Sequence, residues 1–270
     1  MSVLTKILKP FDRFLPEENR LELIWLLAKM EFSKRYYDSV LGLFWALINP
    51  LMRVAVYYVA FTYFVDAGGD IENFGLYLFS GLILLMFFSE GTSKAMKLLK
   101  SKRHLSENAQ FERMDLFVAS SIGSLLGFFF SCGAFVVFSF VIGAGFPSTV
   151  VYFPILAINM YFIVLGFSLI VAIIHVFFKD IDQLWAIINL VLFWTSPIFF
   201  RGDKIAEVLP FLPYVNPFFG IMKNVRAVVI HGTMPDFFFL AYSYIYAFVV
   251  MFIGVKLFRK YSHKALEKTI

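Results

Sequence analysis

Arg53 is the residue whose chemistry most needs an explanation. It stands in NPLMRVAVYY, residues 49–58, inside an otherwise apolar run from Val40 to Phe64. A permanently charged guanidinium at the centre of a membrane-crossing helix costs about 2.5–3.5 kcal/mol on insertion scales. Two surroundings relieve that cost. Arg53 can face a wet path, where it holds an anionic group or pairs with Glu90 of the next apolar run, or it can bond helix-end carbonyls and hydroxyls inside the protein. Pro50 removes one backbone hydrogen bond and bends the run, which leaves Asn49 to satisfy a freed carbonyl. The bend serves equally as a hinge or as a fixed kink.

Other reactive residues are sparse. KDID, residues 179–182, offers Asp180 and Asp182, an aspartate pair of the kind that can hold a metal and a sugar nucleotide. It falls in a connection of a few residues between two apolar runs, where a solvated turn is the simpler reading. His104, His175, His231 and His263 are scattered, and Cys132 is the single cysteine, so neither a metal-ligand spacing nor a disulfide framework emerges. No phosphate-cradling G-x-x-x-x-G-K-[ST] segment occurs. Glu90 is the acidic residue within the crossing runs, which lack the clustered carboxylates of an ion-driven carrier.

The elements that must position these residues are membrane helices. With 60% hydrophobic and 16% charged residues among 270 and a mean hydropathy of +0.77, the chain is too apolar for a water-soluble domain of that length. A helix needs about 20 apolar residues to cross the hydrocarbon. Six runs qualify: 41–64, 74–91, 116–142, 151–178, 184–200 and 237–258. They are expected as helices, since a barrel would need short alternating strands. Lys and Arg crowd the first 35 positions, the connection from Lys94 to Arg113 and the tail, whereas 65–73 carries only acids and GAGFPSTV is uncharged. The positive-inside rule then puts both termini in the cytoplasm. The first twenty residues lack an apolar core ahead of a small-residue cleavage site, so the first crossing run is expected to act as the targeting signal.

Three further features shape the expected fold. The outer connection, 201–236, holds Pro210, Pro213 and Pro217 among Phe211, Leu212, Tyr214, Phe218 and Phe219. It is broken by prolines yet too apolar for a free loop, and it reads as short helices dipping back into the membrane, either as an outer gate or as an interfacial cap. Pro16, Glu17 and Glu18 start a helix that is too charged to cross and belongs at the cytoplasmic interface. Its expected faces are Leu21, Ile24, Trp25, Ala28 and Phe32 on one side and Leu23, Leu26, Leu27 and Met30 on the other. Ala119, Gly123 and Gly127 recur every four residues and permit close helix contact, within the chain or across a dimer. The expected architecture is one all-α membrane domain over 1–270. Residues 1–38 form the tail and interfacial helix, 39–200 the first five spans, 201–236 the outer re-entrant segment, and 237–270 the sixth span and tail.

RYYDSVLGLFWALINPL, residues 35–51, resembles the hallmark of the membrane subunits of type-2 ABC exporters, in the branch that exports lipid-linked O-antigen polysaccharide; teichoic acid and capsule exporters are relatives. Arg35, Tyr36, Ser39, Leu41, Gly42, Trp45, Pro50 and Leu51 carry the likeness, and FFKDI (177–181) and TSPIFF (195–200) agree with it. Relatives often have a Phe-Pro-Arg-like element between the second and third spans; here that connection, KSKRHLSENAQFERMDLF, has no proline. The resemblance implies a homodimer in the bacterial inner membrane with two cytoplasmic ATPase subunits that bind the ATP and Mg. This chain itself would be no enzyme, would carry no cofactor and would meet no nucleic acid. It also implies re-entrant gate helices, in which Pro213, Tyr214, Asn216, Pro217 and Phe218 fall, and a substrate path between the first and fifth helices of the two copies.

Such a path suits aromatic side chains, whose faces pack on the C–H faces of sugars without gripping single hydroxyls. Arg53, Tyr57, Tyr58, Phe61, Trp185, Phe193 and Trp194 are the candidates, with the lipid-linked glycan's diphosphate or acidic sugars on Arg53. Any one of these rings can instead be a lipid-facing belt residue, as expected for Trp45, Phe199 and Phe200. In the second-to-third connection, Leu98, Leu99, Leu105 and Phe111 are candidate apolar knobs for docking on an ATPase, with Arg103 and Glu107 at their rim. A surface helix on anionic lipid would show the same basic residues. Two other functions are compatible with the sequence: a membrane glycosyl- or acyltransferase using Asp180 and Asp182, and a related exporter of other lipids or drugs.

Overall fold

The computed structural model of the chain describes residues 20–36, 42–65, 71–102 and 112–267, in which every regular element is helical. Helix α1 is Arg20–Tyr36 and α2 is Phe44–Val59, continued by a single π turn, Ala60–Phe64. Helices α3, Phe74–Ser101, and α4, Arg113–Val141, follow. A short 3₁₀ turn leads into α5, Phe153–Phe177, and then come α6, Ile181–Thr195, and three short helices, α7, Gly202–Val208, α8, Leu212–Val215, and α9, Pro217–Val229, in the segment expected on the outer side. Helix α10, Phe237–Glu267, ends the described chain.

Among the described residues, five helical stretches are long and apolar enough to cross a membrane: Phe44–Phe64, Phe74–Ser101, Arg113–Val141, Ser148–Phe177 and Phe237–Ser262. The sixth apolar element, α6, has 15 residues. At 1.5 Å per residue it reaches about 22 Å, short of the roughly 30 Å of hydrocarbon. The sequence had suggested a helix to residue 200. Pro197 explains the earlier stop: a residue before proline is pushed out of the helical region, and Ser196 is extended, with φ −83° and ψ 149°.

Helix α3 is the centre of the bundle and is buried from Phe74 through Leu85. It packs against α2, α4, α5, α6 and α9, which is why it lacks the polar stripe of a surface helix. Helices α5 and α10 meet backbone to backbone. A Cβ added at Gly254 would sit 2.7 Å from the Gly166 carbonyl oxygen, and one at Gly166 would sit 2.8 Å from the Met251 nitrogen. The other small-residue stripe, Ala119, Gly123 and Gly127, is also spent inside the subunit. A Cβ at Gly123 would lie 3.2 Å from the Ala28 carbonyl oxygen of α1.

Helix α1 lies along the ends of α3 and α4. Ile24, Leu27 and Ala28 are buried against Leu98, Leu99, Leu116 and Ala119. Arg20 donates to Asp115 at 2.7 and 2.8 Å and also bonds Glu112, while Lys102 pairs with Glu31. The Asp115 hydrogen bonds raise the Arg20 pKa above its ordinary value. Positions 20, 24, 27 and 31 form one stripe at helical spacing, so these anchors set which face turns inward. Both expected faces are split by this: Ile24 and Ala28 of the first and Leu27 of the second are buried, while Trp25 of the first is exposed.

The glycine contact yields a stability test. Gly166→Val should force α5 and α10 apart at a cost of about 1–3 kcal/mol and lower the thermal unfolding midpoint of the purified protein. Gly133→Ala, where no heavy atom lies within 4 Å of the added Cβ, should leave it unchanged. Equal midpoints for the two variants would contradict the packing.

Candidate functional site

Arg53 lies on an exposed face of α2 with Met52 and Val56. Its Nε donates to Asn49 Oδ1, one turn back, at 3.2 Å. The Asn49 amide oxygen is thus engaged by the guanidinium. Glu90 accepts instead from Lys94 at 2.8 Å, so the Arg53–Glu90 pair expected for a closed path is not formed. Pro50 is buried and the helix runs through it without a break. Gly42, at the turn before α2, has φ +46°, a left-handed value that glycine takes without steric cost. Arg35 and Tyr36 close α1, but their side chains are outside the described residues. Trp45 is exposed.

The aromatic residues divide between core and surface. Trp185 is 5% exposed; its Nε1 donates to Thr92 Oγ1 at 3.0 Å, and its ring lies near Phe88 and Phe167. Phe61 is also buried, stacked on Phe199 with ring centres 4.0 Å apart. Tyr57 and Phe193 pack against the same Phe199 at 5.4 and 5.1 Å. This knot fastens the outer end of α2 to the end of α6. Phe199, expected in the lipid-facing belt, is at its centre, because the helix stops at the extended Ser196 and the turn that follows brings Phe199 inward. Trp194 is 53% exposed, and Tyr58, Tyr63 and Phe200 are exposed with it. Sealed in their own subunit, Trp185 and Phe61 do not contribute to the surface on which a path was expected.

The outer segment is built from its prolines and asparagine. Asn216 caps α9, its side chain accepting from the Phe218 amide at 2.9 Å and donating to Ser196 Oγ at 3.0 Å. Pro217 occupies the first turn, where no amide hydrogen is needed. Pro213 and Phe218 are buried, the latter edge-on to Phe88 at 4.9 Å, whereas Tyr214 is exposed and its carbonyl accepts from the Tyr242 hydroxyl.

Arg226, in the middle of α9, is the buried guanidinium among the described residues, with 4% exposure. Its Nη2 donates to the Tyr77 carbonyl at 3.1 Å and its Nε to Ser80 Oγ at 3.3 Å, and it lies 3.3 Å from the centre of the Tyr77 ring. The Tyr77 hydroxyl donates to the Phe200 carbonyl at 3.0 Å. One side chain of α3 therefore ties α9 and the end of α6 together. Gly81 leaves the room: a Cβ there would lie 3.0 Å from Arg226 Nη2. Sequence reasoning passed over Arg226. Its signal was a lone arginine at helical spacing among Met222, Val225 and Val229 in MKNVRAVVI.

Between α7, α9 and the start of α3 lies a cavity of about 830 Å³ whose wall includes Tyr77, Arg201, Asp203, Lys223 and Arg226. Arg201 hydrogen-bonds Asp203 and holds its carboxyl below the usual range, and Lys223 does the same for Asp236. At the other end of the bundle, Leu98 and Leu99 are core residues under α1 rather than exposed knobs. Arg103, Leu105, Glu107 and Phe111 lie outside the described residues. In the α5–α6 turn, Asp182 is 3.4 Å from His175 and Asp180 precedes the first turn of α6.

The geometry is that of a helical membrane bundle whose exposed apolar surface includes α2 and α6, and known proteins match the chain over most of its length. Two O-antigen export system permease proteins RfbA of Klebsiella pneumoniae are 23% and 22% identical to it, each over 91% of this chain and 94% of the relative. A protein of the same name from Myxococcus xanthus is 24% identical over 78% of this chain and 81% of its own length. The model of the ABC-2 type transporter family matches residues 22–230. The chain is an integral membrane protein and belongs to the ABC-2 type transporter family.

Proposed function

We propose that the chain is the membrane subunit of an ATP-driven exporter that carries a lipid-linked, O-antigen-like polysaccharide across the bacterial inner membrane. The observation that carries this reading is the match to O-antigen export permeases over nine-tenths of the chain. Two copies form the transporter, and two cytoplasmic ATPase subunits bind ATP and Mg. Six segments cross the membrane, with α6 completed by the non-helical residues 196–200, and both termini are cytoplasmic. Helices α7–α9 dip back from the outer surface as the gate. The connection holding Arg103, Leu105, Glu107 and Phe111 docks on the ATPase; Leu98 and Leu99 support it from beneath.

Arg53 on the exposed side of α2 supports a path between the copies. The open face joins Met52, Val56 and Tyr63 of the first span to Leu184, Ile187, Val191 and Trp194 of α6. A lipid-facing helix has no use for an arginine in such a face, whereas Arg53 between two copies can meet water and the anionic end of a glycan carrier. Exposed Tyr58, Tyr63 and Trp194 offer ring faces on which a moving sugar chain makes many weak, interchangeable contacts. Buried Phe61 and Phe199 and half-buried Phe193 back them. Energy enters through the ATPase, and this subunit converts the ATPase movement into opening of the path.

Two outcomes test this reading. The chain, coexpressed with an ATPase encoded beside it, should copurify with it, and hydrolysis should rise on adding lipid-linked O-antigen but not on adding its free lipid carrier; stimulation by unrelated lipids alone would contradict the substrate class. Arg53→Ala should lower transport in vesicles by about tenfold or more, the loss expected when a charged group loses its hydrogen-bonding partner, with the complex still assembled. Unaltered transport and unaltered stimulated hydrolysis would remove Arg53 from the path.

A further inference from the structure

Arg226 carries a positive charge that its protein neighbours do not balance. Two of its five N–H groups reach protein acceptors, the Tyr77 carbonyl and Ser80 Oγ, and the Tyr77 ring covers one face of the plane. Among the described residues no carboxylate reaches it. The neighbouring charges are matched, Arg201 with Asp203 at 2.6 Å and Lys223 with Asp236 at 2.7 Å, while Glu72 stands exposed. A buried ion without a counter-charge is strongly unfavourable. Protein does not close every side of it: Arg226 is part of the wall of the 830 Å³ cavity.

The rest of that wall indicates the kind of ligand. Pro197, Ala206, Pro213, Phe219 and Phe239 give it a mainly apolar surface. Its volume is in the range of small-molecule pockets, which combine apolar walls with a few placed polar groups. A planar guanidinium with spare N–H groups matches an oxyanion, phosphate above all. A free inorganic anion would leave the apolar wall uncovered.

We propose that this cavity binds the phosphate headgroup of an amphiphile, with the oxyanion on Arg226 and the attached chain along the apolar wall. The phosphate has two available sources, a phospholipid of the surrounding membrane or the lipid end of the exported molecule; the second rests on the export reading above. An occupant supplies the missing counter-charge and holds α9 on α3, so binding should stabilise the outer segment.

The test uses the purified full-length chain and three probes: dihexanoyl phosphatidylglycerol, a polyprenyl phosphate and inorganic phosphate. Affinity is measured directly and thermal stabilisation alongside it. At least one lipid probe should bind the wild type and raise its midpoint, and Arg226→Gln should weaken binding about tenfold or more. Ala206→Phe, which fills the cavity without altering Arg226, should weaken it similarly and decides the matter should Arg226→Gln fail to fold. Preference for phosphatidylglycerol assigns the site to membrane lipid, and preference for polyprenyl phosphate assigns it to the exported molecule. Binding of inorganic phosphate as tight as that of both lipids, equal lipid affinity in wild type and Ala206→Phe, or no binding by either lipid would overturn the proposal. Glycan-stimulated hydrolysis is measured separately, so failure here leaves the export reading standing, and failure there leaves the site standing.

Discussion

A guanidinium keeps its charge at any depth in a membrane, so each arginine among apolar helices must be given acceptors, a ring face or water. This constraint organises the outer half of the subunit. Arg226 is answered by the carbonyl and ring of Tyr77 and by Ser80, all within one turn of α3. Because Tyr77 also holds the Phe200 carbonyl through its hydroxyl, the central helix, the end of α6 and the folded-back α9 are joined at one residue. Asn216 adds a second tie by bonding Ser196 while capping α9. The outer segment is therefore fixed to its own subunit by polar contacts that are largely buried.

Arg53 meets the same constraint differently. Its bond to Asn49 lies on the exposed side of α2. The aromatic knot behind it links the two helices that carry the open face. Phe61 of the π turn stacks on Phe199, and Tyr57 and Phe193 close around them. A displacement of the outer end of α2 must carry the end of α6 along or unstack these rings. That end runs directly into the segment that Arg226 holds, so the face proposed for the polysaccharide and the proposed gate are mechanically continuous.

Most of the architecture was legible in the sequence because apolar runs of about 20 residues report crossings without knowledge of their partners. The outer segment was legible for a similar local reason: prolines among aromatics exclude both a long helix and a free loop. What stayed hidden depends on rotation and contact. Periodicity did not say which face of α1 would be buried; Arg20 and Glu31, through partners about ninety and seventy positions away, decided that. Composition could not separate Trp185, bonded to Thr92 inside the subunit, from exposed Trp194, although both lie on α6. Arg53 drew attention because it interrupts a long apolar run. Arg226 did not, since its segment already contained lysine and asparagine, and only the position of Tyr77 reveals that it is buried.

The central physical claim is that Tyr77 and Arg226 together fasten the outer segment to the bundle. Hydrogen–deuterium exchange of the amides in 217–229, compared between wild type and Arg226→Lys, tests it most directly. Lysine keeps the charge and loses the planar fork. The account predicts exchange faster by about tenfold or more across α9, as expected for losing a bond to a charged group, with the α5–α10 pair unchanged. Equal protection of α9 in both proteins would contradict it.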